Sequence, residues 1–265
     1  MLGTTNLSRL ATSLSLSLLA CCLTEAQEPC LDIASTVFCD DFSDGDHTDG
    51  MPANWQLMTN LGTLGTADST GGDLILTQPN TDPQVAYAGT EHYDMSIRSQ
   101  FRQVEGSGAI ALMGRLDPAG RTAYQGGIDT SDSTIYLVRN DNPFARLLVS
   151  KATDLNPNVE DVVLQLDIIG DDLSLYAWRA GEAMPAEPSL TRNIGGGYDS
   201  GVGGVLIDSG SRHSAAFRHV QVATTSIPEP SSAFICLFGA FGLLAFRRSG
   251  RDFASKSTGM EELVG

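Results

Sequence analysis

The sequence predicts an all-β protein, an antiparallel sandwich, and three observations indicate this fold class. Short apolar runs are separated by Gly, Asp and Asn turns between Asp32 and Thr225. Within the runs, apolar and polar residues alternate with the period of two that is typical of a half-buried strand. No helical period is evident over the same range. About 200 residues of this pattern favour one large sandwich over two small ones.

The strand signals begin in the first half of the chain. Asp73–Gln78 is the first clear strand. A later strand alternates two faces, which are apolar at Met95, Ile97 and Phe101 and polar at Ser96, Arg98 and Arg102. Asp117–Gly120 is a strong turn signal between two strands, and Asn140–Pro143 separates the two strands after them. These signals predict successive antiparallel strands.

The clearest hairpin lies between Val162 and Trp178. Gly170–Asp172 supplies its turn. One face of the hairpin is apolar and is formed by Val162, Leu164, Leu166, Ile168, Leu173, Leu175 and Ala177. Ala180–Ser189 is predicted to be a loop, and residues 201–222 close the domain with two more strands.

The first 26 residues are predicted to be a secretory signal peptide. Arg9 precedes a short apolar run, Leu10–Leu23, and small residues lead to a cleavage site after Ala26. The run is short for a transmembrane helix. Cys21, in the string "LLAC", keeps lipidation as an alternative to ordinary cleavage.

Cys30 and Cys39 are the two cysteines of the predicted mature domain. An isolated pair in an exported chain indicates one disulfide. Closing this short loop would stabilise the domain by about 2–3 kcal/mol. Metal binding by the pair is not favoured, because no cluster of further Cys or His residues lies nearby in the sequence.

Several motifs, taken in order, carry a family resemblance. They are "VFCDDFSDGDHTDGMPANWQ", "GDLILTQ", the "LQLDIIGDDLSLYAWRAGE" hairpin and the closing "GVGGVLIDSGSRHSAAFRHVQV". In this order they resemble a concanavalin A-like jelly roll of the laminin-G-like type over Val37–Ala223. The resemblance implies a jelly-roll domain, to which we assign residues 27–225. The closing strand has Arg218 where many relatives carry an Asp that serves a calcium site.

Residues 226–250 form a distinct C-terminal segment. It contains Pro228, Glu229 and Pro230, then a short apolar run, then Arg247 and Arg248. This order resembles the PEP-CTERM sorting domain of bacterial exported proteins. The resemblance implies recognition by exosortase-type machinery and removal of the tail. Before processing, the apolar helix would hold the chain in the membrane with residues 251–265 as a cytoplasmic tail, because arginines stay on the cytoplasmic side. A plain membrane anchor is the alternative.

The charge of the chain limits its partners. Its 265 residues carry a formal net charge of −16, and such a surface repels phosphate backbones, so we expect no nucleic-acid partner. One loop could hold Ca²⁺ through the carboxylates of Asp41, Asp44, Asp46 and Asp49. The other interpretation of this loop is a solvated turn in which each Asp accepts hydrogen bonds from its own backbone.

The catalytic motifs known on this fold are missing from the sequence. Laminarinase-like hydrolases supply paired carboxylates through a Glu-x-Asp-x-x-Glu strand, and lyases of this fold use a Gln-x-His strand; neither string occurs here. We therefore expect no catalysis and no certain cofactor. His92, His213 and His219 are expected to be surface or packing residues.

Aromatic residues beside polar groups are the remaining functional signal, because sugars stack on aromatic rings while polar groups bind their hydroxyls. The candidate glycan-binding residues are Tyr176, Trp178, Tyr124, Tyr136 and Arg139. Tyr176 and Trp178 share one strand face. The alternative is that these side chains pack into the second sheet.

Together these observations predict an exported, non-catalytic protein of the cell envelope, cell surface or extracellular matrix that binds or builds into polysaccharide. One alternative is a divergent carbohydrate-active enzyme of the same fold, either a glycoside hydrolase or a lyase. Paired carboxylates in the groove of the sandwich would favour that enzyme. Another alternative is a structural matrix protein without a ligand.

Overall fold

A computed structural model describes residues 30–31, 33–59, 64–142 and 144–227 of the chain. These residues contain fifteen β-strands and no helix. The described part accordingly offers no helix that is long and apolar enough to cross a membrane.

The strands follow one another along the chain with short connections. They are β1 (Thr36–Asp40), β2 (Gln56–Thr59), β3 (Thr66–Asp68), β4 (Leu74–Gln78), β5 (Gln84–His92), β6 (Met95–Glu105), β7 (Ala109–Asp117), β8 (Thr122–Asp129), β9 (Thr134–Asp141), β10 (Phe144–Ala152), β11 (Val162–Ile169), β12 (Asp172–Arg179), β13 (Leu190–Asn193), β14 (Gly201–Asp208) and β15 (His213–Ala223).

The strands form two antiparallel sheets. Sheet A has the order β13-β12-β11-β6-β15-β4-β3, and β1 pairs with β15 beside β4. Sheet B has the order β10-β9-β8-β7-β14-β5-β2. Strands that are distant in sequence are neighbours in both sheets, such as β6 with β15 and β7 with β14. Pairing between strands that are distant in sequence is the arrangement of a jelly-roll sandwich.

The core lies between the inner faces of the two sheets. The predicted hairpin is confirmed, because β11 pairs with β12 and places Leu164, Leu166 and Leu175 in the core. On β6, Ile97 and Phe101 also point into the core, as their alternation predicts. Apolar side chains at every second position therefore bury one face of each central strand.

The N-terminal strand is held by a disulfide and an aromatic cluster. The predicted bond between Cys30 and Cys39 is present, with the two Cα atoms 5.8 Å apart. Trp55 is buried, and its Nε1 donates a 2.8 Å hydrogen bond to Oδ2 of Asp40. Phe38 packs edge-on against the Trp55 ring, at 5.8 Å between ring centroids. Burial raises the pKa of Asp40 above its ordinary value.

The predicted terminal segments lie outside the described residues. These are the signal peptide of residues 1–26, the sorting motif with Pro228, Glu229, Pro230, Arg247 and Arg248, and the tail of residues 251–265. The described chain ends at Ile227.

Candidate functional site

The outer face of sheet B carries a cavity of about 400 Å³, which we call the groove. Five adjacent strands contribute to it: β14, β7, β8, β9 and β10. Their inner-facing residues form the core, so alternation turns the intervening residues towards the groove. The polar residues among them are Gln125, Asp129, Thr134, Asn140, Ser150 and Asp208.

Two carboxylates flank a small residue at one end of the groove. Asp208 on β14 and Asp129 on β8 both pair with Ala109 on the strand between them. All three residues line the groove. The Cα atoms of the two aspartates are therefore about 10 Å apart, which is two strand spacings. The small side chain of Ala109 leaves the space between them open.

The floor of the groove contains two polar side chains without protein partners. Gln125 and Tyr136 are each only 8% exposed, and both line the groove. The described residues supply no hydrogen bond to the Gln125 amide or to the Tyr136 hydroxyl. The polar atoms of both side chains are open to the groove, so a ligand or water can bond them there.

Tyr136 fits the floor because a glycine lies opposite it. Gly127 pairs with Tyr136 across β8 and β9. A Cβ atom at Gly127 would lie 2.6 Å from the Tyr136 hydroxyl oxygen, closer than atoms can approach. Burial raises the pKa of Tyr136 far above its ordinary value. The hydroxyl therefore stays protonated and can donate a hydrogen bond.

The rim of the groove is apolar and exposed. Phe144 and Leu147 on β10 both line it, and they are 76% and 58% exposed. The groove thus combines an exposed aromatic ring, a buried tyrosine and several amides and carboxylates, which are the groups that bind sugar rings and their hydroxyls.

The electrostatics of the groove are acidic. Asp129, Asp132 and Asp208 line it, and Arg121 is the only basic residue among its described lining. Within the described structure, none of the three aspartates forms an ion pair. Burial, followed by the charge of Asp129, raises the pKa of Asp208.

The five predicted glycan-binding residues do not form one surface. Tyr136 lies in the groove. Tyr124 instead faces the core, fully buried, and its ring packs against Tyr198 at 5.1 Å between centroids. Arg139 stacks on the same Tyr198 ring and bonds Asp141 at 2.7 Å. For Tyr124, the alternative of packing between the sheets is therefore correct.

Tyr176 and Trp178 lie on the outer face of sheet A, on the opposite side of the sandwich from the groove. Trp178 is almost completely buried, and the Arg98 guanidinium lies over its ring at 5.5 Å from the centroid. Tyr176 is half-buried. Trp178 therefore packs against Arg98, and it also lines a second cavity of about 500 Å³.

Arg98 belongs to a buried polar network on this outer face of sheet A. Its Nε donates to Gln165 Oε1 at 2.8 Å, and its Nη2 donates to the Ile227 carbonyl at 3.2 Å. The Gln165 amide donates to Asp167 and to the same carbonyl. Ser226 donates to Asp167 at 2.5 Å. The end of the described chain thus covers the polar face of sheet A.

The structure does not bring the four predicted calcium ligands together. Asp41, Asp44, Asp46 and Asp49 each accept a hydrogen bond from the backbone N–H two residues later. No group of three or more acidic, His or Cys residues in the described ranges is placed to hold a metal ion. The loop is therefore held by hydrogen bonds from its own backbone to its aspartates, which is the second interpretation given in the sequence analysis.

The groove residues that the sequence prediction missed are Gln125, Asp129, Asp208 and Phe144. Alternation along β8 places Gln125 and Asp129 on one face, and that signal was available in the sequence. The pairing of β14 with β7 was not available in the sequence. Together with the pairing of β7 with β8, it places Asp208 and Asp129 on either side of Ala109.

The comparisons with known proteins concern the fold. No model of a protein family matches the chain, and no curated protein matches it. Among solved structures, the carbohydrate binding module CBM66 from Bacillus subtilis is similar with a TM-score of 0.51 and 16% identity, over 63% of this chain and 94% of its own. A protein of unknown function with a galectin-like fold from Bacillus subtilis has a TM-score of 0.55 and 13% identity, over 74% and 98%.

A GH43 protein from Bacillus licheniformis is similar over a smaller share of its length. The TM-score is 0.50 and the identity 14%, over 73% of this chain and 40% of that protein. At these identities the likeness concerns the fold. These structures and the strand order of the two antiparallel sheets define the class of this protein. It is an all-β jelly-roll sandwich, as the sequence predicts.

Proposed function

We propose that this protein binds a glycan in the groove on sheet B and does not act on it chemically. The observation that carries the proposal is the pair Gln125 and Tyr136, two polar side chains that are nine-tenths buried, face the groove and have no partner in the described structure. Sugar hydroxyls are donors and acceptors at once, so they can satisfy an amide and a phenol together.

The remaining lining suits a sugar chain. Phe144 at the rim offers an exposed ring on which a sugar face can stack. The carboxylates of Asp129 and Asp208 can accept hydrogen bonds from hydroxyls. A cavity of about 400 Å³ has the size of a site for a small ligand. Two structures of similar fold, a carbohydrate binding module and a protein with a galectin-like fold, support this proposal.

The site of action is also a proposal and rests on the sequence. The signal peptide and the PEP-CTERM-like segment favour export, recognition by exosortase-type machinery and residence in the envelope or in an extracellular polysaccharide matrix. Fractionation of cells that express the full chain tests this. We expect the wild type in the envelope or matrix fraction, and a Pro228→Ala/Glu229→Ala/Pro230→Ala variant should fail to reach it. Equal distribution of both chains would refute sorting by this motif.

A glycan array tests the binding proposal. We expect the wild type to bind at least one glycan, and Phe144→Ala to weaken that binding about tenfold through loss of the stacking ring. Val159→Ala is the matched control, because Val159 is 77% exposed but lies outside the groove lining. Failure of the folded wild type to bind any glycan would instead favour a structural matrix protein without a ligand.

A second candidate function is glycoside hydrolysis, which the pair Asp129 and Asp208 favours. Two carboxylates in one groove with different environments can serve as acid and base. Burial raises the pKa of Asp208, which suits a general acid, whereas Asp129 accepts two hydrogen bonds from Ser131. In an inverting reaction, Asp129 would take a proton from the attacking water, and Asp208 would protonate the leaving oxygen as the glycosidic bond breaks.

A reducing-end assay separates this function from binding alone. Hydrolysis predicts new reducing ends from a glycan that binds, and their complete loss in Asp208→Asn under conditions where the variant is saturated with the glycan. The absence of new reducing ends from every glycan bound by the wild type would exclude the second candidate and leave the first intact.

A further inference from the structure

The charge of the groove carries an inference about which glycans it accepts, and this inference rests on the proposed glycan-binding function. The groove contains three carboxylates and one guanidinium, and Arg121 already has an interaction of its own. The carboxylates of Asp129 and Asp132 accept hydrogen bonds only from hydroxyl and amide groups of their own turns. Their negative charges are therefore not neutralised by any described basic side chain.

Asp129 and Asp208 flank one position on the outer face of sheet B. They pair with Ala109 from opposite sides, so their side chains rise from the same face of the sheet on either side of a methyl group. A small cation above Ala109 would lie close to both carboxylates. Opposite charges at such separations attract strongly where water is partly excluded.

We propose that the groove selects glycans with basic amino groups and rejects polyanionic glycans. An ammonium group on a sugar ring would lie between Asp129 and Asp208, while the neighbouring ring contacts Tyr136 and the Gln125 amide. A uronate or sulfated sugar would bring its own negative charge against three carboxylates. Its binding would require protonation or a bound counter-cation, which disfavours it.

Three oligosaccharides of equal length test the selection by calorimetric titration. They are a β-1,4-linked glucosamine hexamer, the N-acetylglucosamine hexamer with the same backbone, and a galacturonic acid hexamer. We expect the amino form to bind at least about tenfold more tightly than the acetylated form at low salt, since one ion pair is worth on this order in a partly buried site. We expect the galacturonate hexamer to bind most weakly.

A double substitution assigns the selection to the two aspartates. Asp129→Asn/Asp208→Asn keeps the shape of both side chains and removes two charges, so the preference for the amino form should disappear. Asp44→Asn/Asp49→Asn is the matched control, because it changes the net charge equally in a loop outside the groove lining. We expect this control to keep the preference.

The salt dependence of the wild type supplies a measurement that needs no variant. Affinity for the glucosamine hexamer should fall several-fold between about 0.05 and 0.5 M NaCl, whereas affinity for the acetylated hexamer should not change. Equal affinity for the amino and acetylated forms, or preference for the galacturonate, would overturn the charge selection while leaving glycan binding in place. No binding of any hexamer or array glycan would overturn the proposed function itself.

Discussion

The outer faces of the two sheets carry similar polar residues, but these residues differ in their hydrogen-bond partners. Each face has a buried glutamine in the middle of a central strand, Gln165 on sheet A and Gln125 on sheet B. Gln165 exchanges hydrogen bonds with Arg98, Asp167 and the Ile227 carbonyl. Gln125 has no partner in the described structure and faces a cavity.

This difference distinguishes polar side chains that bond other parts of the protein from polar side chains that are open to a ligand. On sheet A the side chains of Arg98, Gln165 and Asp167 bond one another and hold the chain end. The ring nitrogens of Trp178 and His219 on the same face have no partner among the described residues. On sheet B the polar atoms of Gln125 and Tyr136 have no protein partner and are open to the groove, where a ligand can bond them. Polar residues on a strand face are therefore informative about function only once their partners are known.

The largest effect is expected from breaking the network on sheet A. Arg98→Met removes the donor to Gln165 and to the Ile227 carbonyl and leaves both acceptors buried. We expect the free energy of unfolding to fall by about 3–5 kcal/mol, measured by urea denaturation. Arg102→Met is the control on the same strand, where the side chain is exposed, and it should cost less than about 0.5 kcal/mol. Similar costs for both variants would contradict the network.

Stability should also depend on pH through two buried histidines. His219 lies on the outer face of sheet A and His213 between the sheets, and neither ring has a hydrogen-bond partner in the described structure. Burial lowers the pKa of each to about 4. The unfolded chain, with an ordinary pKa near 6.5, then binds protons more readily than the folded chain.

The stability contributed by neutral His213 and His219 is therefore complete above about pH 6.5 and is lost as the pH falls towards about 4. The loss is on the order of 3 kcal/mol for each residue. Urea unfolding at several pH values measures it within each protein. The single variants His213→Met and His219→Met should each show a smaller decline than the wild type, and an unchanged decline would mean that the rings are protonated in the folded state.

Exchanging the two glutamines for leucine compares the faces directly. Gln165→Leu leaves Arg98 Nε without its acceptor and should cost about 2 kcal/mol of stability. Gln125→Leu removes no protein hydrogen bond and should change stability by less than about 0.5 kcal/mol. Only Gln125→Leu should weaken glycan binding. A stability loss for Gln125→Leu as large as that for Gln165→Leu would show that the two faces are alike.

The smallest effect is expected at the chain end. Ser226→Ala removes the donor to Asp167 and should cost about 1 kcal/mol, with faster hydrogen exchange at the Ile227 amide. Thr225→Ala, at an exposed neighbour that bonds Ser35, should leave that exchange rate unchanged. Equal exchange in both variants would contradict the role of Ser226 in holding the chain end.

Periodicity predicted the strands and their faces well, because alternation is a local property of the chain. It placed Ile97 and Phe101 inside and Arg98 outside, and the structure agrees. It could not predict that Arg98 is buried. A polar outer face normally meets water, but Arg98 is covered by Trp178 and by Ile227, some 130 residues later in the chain.

The groove was harder to predict from the sequence, because it too is formed by residues that are distant in the chain. Asp129 and Asp208 are 79 residues apart in the chain and flank Ala109 only because β7 pairs with both β8 and β14. Of the aromatic residues predicted to bind a glycan, Tyr136 lines the groove and Tyr124 lies in the core, although both lie in alternating strands. Their strands alternate in the same way, so sequence alone does not say which face is turned to the core.

The last described residue, Ile227, is held against sheet A, whereas the groove opens on sheet B. Any tether that continues from Ile227 begins on the rear of the sandwich as seen from the groove. A ligand in the groove and the chain end at Ile227 therefore lie on opposite faces of the sandwich.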